Sequence, residues 1–315
     1  MTSFNLCIEP HERFFENRKF DCDEADLQLL SQAAELLGER AYDCEDGIVR
    51  VRSDWSPLIA WRHFDAARNA NIDPDDEETW EELPPVDMPI HIVDERAQGR
   101  EHDLHSHLEL FLHESFLMLN VAVPGSFGGR MRWALGGLRD RDASLDARVF
   151  ETAWATAATL DWPRIEPLPL AQVVAWYDAL GIGTQQVATT STARALFHLL
   201  YLARSEEEDT TSLLRLALAL EAVFDSRASL LAPRIESLLG RNSSLDEELR
   251  RFFDDRDAVT LGTAPVAHPM YDHSLDARAD DPSFDYTNTV DFASRLIVGA
   301  LQQQVRSCRR LTLVD

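Results

Sequence analysis

Residues 210–226 read TTSLLRLALALEAVFDS, and no other stretch restricts the fold as strongly. Past its first turn, only Arg215, Glu221 and Asp225 interrupt a segment that is otherwise apolar on nearly every side. A helix of that kind belongs inside a bundle, enclosed by other helices. The next long helix is read over 244–262, SLDEELRRFFDDRDAVTLG. Ser244, with Glu247 three places on, has the form of a capping box. Leu245, Leu249, Phe252 and Phe253 recur at helical spacing, Val259 continues the stripe, and Gly262 suits a helix stop. Arg256 falls in the same register, within roughly 20° of Leu245 at 100° per residue. A guanidinium at the end of an apolar stripe needs a partner or a solvent-filled cleft, because burying it alone is costly. Glu221 is the candidate partner.

Composition excludes several classes of function. The formal net charge is −25, which opposes broad electrostatic attraction to nucleic acid or to an anionic membrane. Of the 30 basic residues only Lys19 is lysine. No run of about 18 apolar residues is present to make a membrane-spanning helix. The first residues, MTSFNLCIEPHERFF, carry charges where a signal peptide needs its apolar segment, so a soluble cytoplasmic protein is expected. Cys7, Cys22, Cys44 and Cys308 form no CxxC pair and read as free thiols.

The N-terminal half mixes periods. Residues 24–38 read as an amphipathic helix ending at Gly38, and GIVRVR (47–52) and MPIHIV (88–93) as strands. Between the strands, 72–87 is acidic and contains prolines, as a surface loop or linker does. His102, His105, His107 and His113 then lie close to Glu109 and Glu114. His102, His105 and Glu109 share a helix face at i, i+3, i+7, and His105 and His113 are two turns apart, spacings that zinc sites use. The HExxH pattern is absent, since Leu117 stands where the second His would be. The alternative is a helix with a Leu/Phe core face and solvated imidazoles. PGSFGG and ALGGLRD match neither phosphate-loop pattern and read as turns around RMRW. Residues 148–162 are enriched in Thr and Trp, and a strand pair is expected there.

Pro163 to Pro169 mark a boundary beyond which helices dominate: 169–180, 191–205, 210–226, 232–239, 244–262 and 289–310. The chain is therefore α+β, with a mixed domain over 1–165 and an all-α domain over 166–315. Arg306, Arg309 and Arg310 suit the C-terminus of the last helix through its dipole.

Three segments add a resemblance. LALALEAVFD (216–225), PRIESLLG (233–240) and RRFFDDRDAVTLG (250–262) resemble, in order and spacing, segments of the HEPN superfamily, most closely its Apea-like branch. The likeness spans 191–310. It implies a compact helical bundle, often dimeric. Catalytic members are metal-independent ribonucleases in which an Arg and a His drive attack of a ribose 2′-hydroxyl on the adjacent phosphate, often in phage defence or as toxins. The chemistry suits those residue types: imidazole moves a proton near neutral pH, and guanidinium holds phosphate as charge develops. Other members have lost cleavage and act as scaffolds, sensors or nucleotide-binding modules.

Here Arg256 and Gly262 stand at the family's Arg and Gly, but Leu261 stands at its His. Leucine moves no proton. The resemblance therefore implies a non-catalytic binding or scaffold module in a defence or stress setting. It needs no cofactor, pairs as a homodimer, and takes RNA or a nucleotide as ligand; the N-terminal domain is left to meet a partner protein. One alternative is a ribonuclease in which His268, or else His273, folds back beside Arg256. Another is a metal-dependent enzyme built on His102, His105, Glu109 and His113.

Overall fold

The computed structural model describes residues 2–10, 21–69, 84–96, 101–133, 141–183, 187–204, 210–264 and 286–311. They form two compact units. The first contains residues 1–147 and 166–187, the second 148–165 and 188–315.

The first unit is built on a six-stranded antiparallel sheet in the order β2-β3-β4-β1-β5-β6. Its strands are β1 (Thr2–Pro10), β2 (Glu39–Cys44), β3 (Gly47–Ser53), β4 (Val86–Asp94), β5 (Gly129–Trp133) and β6 (Arg141–Leu145). Alternation at period 2 gives the sheet one apolar face. Leu6 stands opposite Met88 on one side and Trp133 on the other, and Ile8 opposite Val86 and Met131; all six side chains are buried. The opposite face carries residues such as Asn5, Arg52, Asp87 and Arg132, all exposed. The unit's helices are α1 (Cys22–Leu36), α2 (Ser56–Asn69), α3 (Glu101–Ala122) and α5 (Leu170–Ala179). Of these, α2 meets β4 and α3 meets β3, while α1 and α5 pack on α3 and on each other. A side chain at Gly47, which joins β2 to β3 at φ +148°, would bring its Cβ within 2.8 Å of the Glu95 carbonyl oxygen.

In the second unit every described element is helical: α4 (Arg148–Leu160), α6 (Ser191–Ala203), α7 (Thr210–Val223), α8 (Leu231–Leu239), α9 (Leu245–Thr260) and α10 (Thr287–Leu311), with a 3₁₀ turn at Ala228–Leu230. Helix α10 is the axis. It packs against α4, α7, α8 and α9, burying Phe292, Leu296, Ile297, Leu301 and Val305. Helix α7 buries Leu213, Leu216, Ala217, Leu220 and Val223 but leaves Leu218 half exposed, so it is not enclosed on every side.

Two sequence expectations need correction. Residues 148–160 form helix α4, not strands. Phe150, Ala153, Trp154 and Ala157 make a buried helical stripe. The β-branched Thr156 and Thr159 are tolerated because their hydroxyls donate to the carbonyls of Thr152 (2.6 Å) and Ala155 (3.0 Å) one turn back. That stripe packs on α10, which draws 148–165 into the helical unit. Helix α5 packs on α1 and α3, which draws 166–187 into the sheet unit. The chain therefore passes between units more than once, where a single boundary near 165 was expected. Strand β1, which sequence patterning left unassigned, lies inside the sheet between β4 and β5.

Among the described residues no helix is long and apolar enough to cross a membrane.

Candidate functional site

Helix α9 positions Arg256. The helix starts differently from the capping box. Ser244 makes no side-chain bond to a first-turn amide; its hydroxyl lies 2.8 Å from Asn242 Oδ1 and within hydrogen-bond reach of the carboxylate of Glu248 rather than Glu247. Glu248 in turn binds the buried Arg295 of α10, so this end of α9 is tied to the axis helix by charge. Leu245, Leu249 and Phe252 are buried, and Phe252 meets Phe292 of α10 with ring centroids 6.2 Å apart. One turn beyond Phe252 the stripe rises to the surface.

There the guanidinium of Arg256 lies 4.6 Å over the ring of Phe253. Its Nε and Nη2 donate to Asp257 Oδ1 at 2.9 and 2.6 Å, and its Nη1 reaches Glu221 Oε1 of α7 at 3.5 Å. The Arg256 side chain is 25% exposed, so it lies neither in a sealed core nor free in solvent. Thr260 returns its hydroxyl to the Arg256 carbonyl at 2.9 Å. Leu261 follows as the helix C-cap, 75% exposed, and Gly262 ends the helix at φ +69°. The two carboxylates outweigh the one guanidinium, which makes this surface a poor receiver of phosphate unless Arg256 turns away from Asp257. His268 and His273 lie outside the described residues.

The histidine-rich helix α3 distributes its groups among separate partners. His105 is buried rather than solvated, and its Nδ1 accepts the indole N–H of Trp133 at 2.9 Å. Burial, with Arg141 next, pushes its pKa down. Glu109 is bound by Arg141 at 2.9 Å. His107 faces Cys44 Sγ at 3.5 Å, and His113 is half-buried. The backbone of His102 belongs to α3, and its side chain lies outside the described set. No group of three or more potential ligands converges on a metal-sized space among the described residues. The nitrogen and carboxylate that a metal would need are turned to Trp133 and Arg141 instead.

The cluster that sequence reading missed centres on Glu114 of α3. This carboxylate is 1% exposed. Its Oε2 accepts the hydroxyl of Tyr42 at 2.9 Å and lies 3.5 Å from Arg40 Nη2, while its Oε1 has no hydrogen-bond partner. Arg40 also binds Asp178 of α5 at 2.8 and 3.3 Å. Burial raises the Glu114 pKa against the pull of Arg40 and Tyr42. A second buried cluster sets Arg62 against Asp26, Asp65 and Asp23. Neither cluster is legible from one segment, because each joins two or more elements: Arg40 and Tyr42 of β2 with Glu114 of α3 and Asp178 of α5, and Arg62 and Asp65 of α2 with Asp23 and Asp26 of α1.

Compared with models of protein families, with curated proteins and with solved structures, the chain has no match.

Proposed function

We propose that the helical unit is an Apea-like HEPN module that acts by binding rather than by cutting RNA, in a cytoplasmic defence or stress setting. The observation that carries this reading is the state of Arg256. Its guanidinium is engaged by Asp257 and Glu221, and the residue at the family's His position, Leu261, is an exposed aliphatic side chain. General acid–base participation typically contributes about 100- to 10,000-fold, and leucine supplies none of it. The three segments that carry the resemblance fall on α7, α8 and α9, and both α7 and α8 pack on α9. In this reading the module pairs as a homodimer, its ligand is RNA or a nucleotide, and the sheet unit meets a partner protein.

The test is an RNA cleavage assay in EDTA with wild type, Arg256→Ala, His268→Ala, Leu261→His and the double variant Leu261→His with Arg256→Ala. Wild type should leave RNA intact. Cleavage by wild type that disappears in Arg256→Ala or His268→Ala would overturn the reading and establish the ribonuclease. Cleavage gained by Leu261→His and lost again with Arg256→Ala would identify the module as a silenced nuclease. Light scattering on the full chain at micromolar concentration should return a dimer mass, and a monomer mass would remove the pairing from the proposal.

A further inference from the structure

In the sheet unit one guanidinium is shared by two acids. Arg40 of β2 binds Asp178 of α5 end-on, Nη2 to Oδ1 at 2.8 Å and Nη1 to Oδ2 at 3.3 Å. The same Nη2 lies 3.5 Å from Oε2 of Glu114 on α3. The Asp178 side chain is 50% exposed and the Glu114 side chain 1%. Two buried polar atoms of this group are left over: Nε of Arg40 and Oε1 of Glu114 have no hydrogen-bond partner. One is a donor and the other an acceptor, and a side-on pairing of the guanidinium with the Glu114 carboxylate would use both. An ionised oxygen buried without a partner is costly, so the observed arrangement is that of a neutral Glu114. Burial, which raises the Glu114 pKa against the pull of Arg40 and Tyr42, acts in the same direction.

We propose that Arg40 is a two-position latch set by the proton on Glu114. With Glu114 neutral, Arg40 holds the last turn of α5 through Asp178; with Glu114 ionised, it turns side-on to Glu114 and releases Asp178. The turn matches Nε with Oε1 and Nη2 with Oε2, so both leftover atoms gain a partner and the buried charge gains its counter-ion. Asp178 loses little, because water reaches it. The groups around Glu114 leave it as the one that titrates. Tyr42 of β2 and Tyr177 of α5 are pushed well above the usual phenol range by burial, and both stay neutral. On α3 the residues one turn away, Leu110, Phe111, Leu117 and Met118, are apolar. Of the other elements packed on α3, β3 buries Val49 and Val51, and the buried acid of α1, Asp26, is bound by Arg62. Gly183 approaches Oε1 as well, a Cβ there lying 3.9 Å away, and Thr184, Gln185 and Gln186 after it add no charge. A raised folded pKa means that the tie is complete below the ordinary value of 4.5 and is lost as pH rises through the folded value. Leu170, Val173 and Trp176 remain buried in either position, so the latch governs the end of α5 and not the helix as a whole.

The experiment is amide hydrogen exchange of the full chain at steps from pH 4.5 to pH 8, corrected for the intrinsic rate and read on the peptide that spans α5. In wild type, protection of the last turn of α5 should fall about two- to five-fold across that range, the effect of losing a half-exposed ion pair. Glu114→Gln keeps the shape of the side chain and cannot ionise, so it should hold its protection at pH 8. Asp178→Asn should show the lower protection throughout. Protection that stays constant in wild type, or a fall that persists in Glu114→Gln, would overturn the latch. A second measurement needs no variant: the carbon-13 shifts of the Glu114 and Asp178 carboxyl groups, followed against pH in wild type. Asp178 should report a change at the midpoint at which Glu114 loses its proton, and an Asp178 that does not respond there would also overturn it.

Discussion

Tyr42 of β2 donates its hydroxyl to Glu114 of α3 at 2.9 Å, and the carboxylate it reaches is 1% exposed. The pair ties the sheet to its longest helix through a group whose other oxygen has no partner. Arg40 joins from the same strand and is itself bound to Asp178, 138 residues away in sequence.

Glu114→Ala should therefore destabilise the protein by about 2–4 kcal/mol, because it leaves Tyr42 and Arg40 facing an apolar gap. Urea unfolding at pH 7 checks this. Asp178→Ala, whose side chain is half exposed, should cost less than half as much. Equal costs would show that the buried carboxylate is not the centre of the cluster.

The bond between Trp133 and His105 carries a pH dependence. His105 is buried and its pKa is lowered, so the folded state holds the imidazole neutral. A depressed folded pKa contributes stability that is present above the unfolded value of about 6.5 and is lost as pH falls through the folded value. Thermal unfolding of wild type should show this loss on the acid side of 6.5, and His105→Asn should remove it. Trp133→Phe should cost about 1–2 kcal/mol at pH 7.5 by leaving Nδ1 of His105 without a donor.

Asp291 of α10 should act in the opposite sense. Burial raises its pKa from the usual carboxylate range to about 6, with Arg295 pulling it back. A raised folded pKa contributes stability that is complete below the unfolded value near 4 and is lost as pH rises through about 6. Asp291→Asn should thus melt at a higher temperature than wild type at pH 7.5, and its advantage should vanish at pH 4. An unchanged difference across that range would show that Asp291 does not titrate there.

Along α9, one helix should give two contrasting results. Leu261 is 75% exposed, so Leu261→His or Leu261→Gln should change stability by less than about 0.5 kcal/mol. Phe252 is 0% exposed and packs on Phe292, so Phe252→Ala should cost about 3–5 kcal/mol. A large loss in Leu261→His would place Leu261 in an interface, in line with the proposed pairing. In that case the cost should fall on dilution of the protein.

Local periodicity determined much of the fold. The stripe Leu245, Leu249, Phe252 identifies α9 and its buried face without reference to any other element, and GIVRVR and MPIHIV identify β3 and β4 in the same way. These signals survive because the pattern of one segment repeats the geometry of that segment. Where two geometries fit one composition, periodicity was insufficient. Residues 148–160 carry Thr and Trp enough for a strand, and only packing of the Phe150, Ala153, Trp154, Ala157 stripe against α10 selects the helix. The placement of β1 between β4 and β5 is likewise a matter of pairing partners about 80 and 125 residues away, which no local pattern encodes. The sites divide along the same line. Arg256 was legible because its register put a charge on an apolar stripe, and charges in that position are rare. That its guanidinium also reaches Glu221 of α7, that His105 is capped by Trp133, and that Glu114 meets Tyr42 and Arg40 are decided by side chains arriving from separate elements. Such encounters depend on distances in space, which the order of residues does not specify until the whole chain has packed.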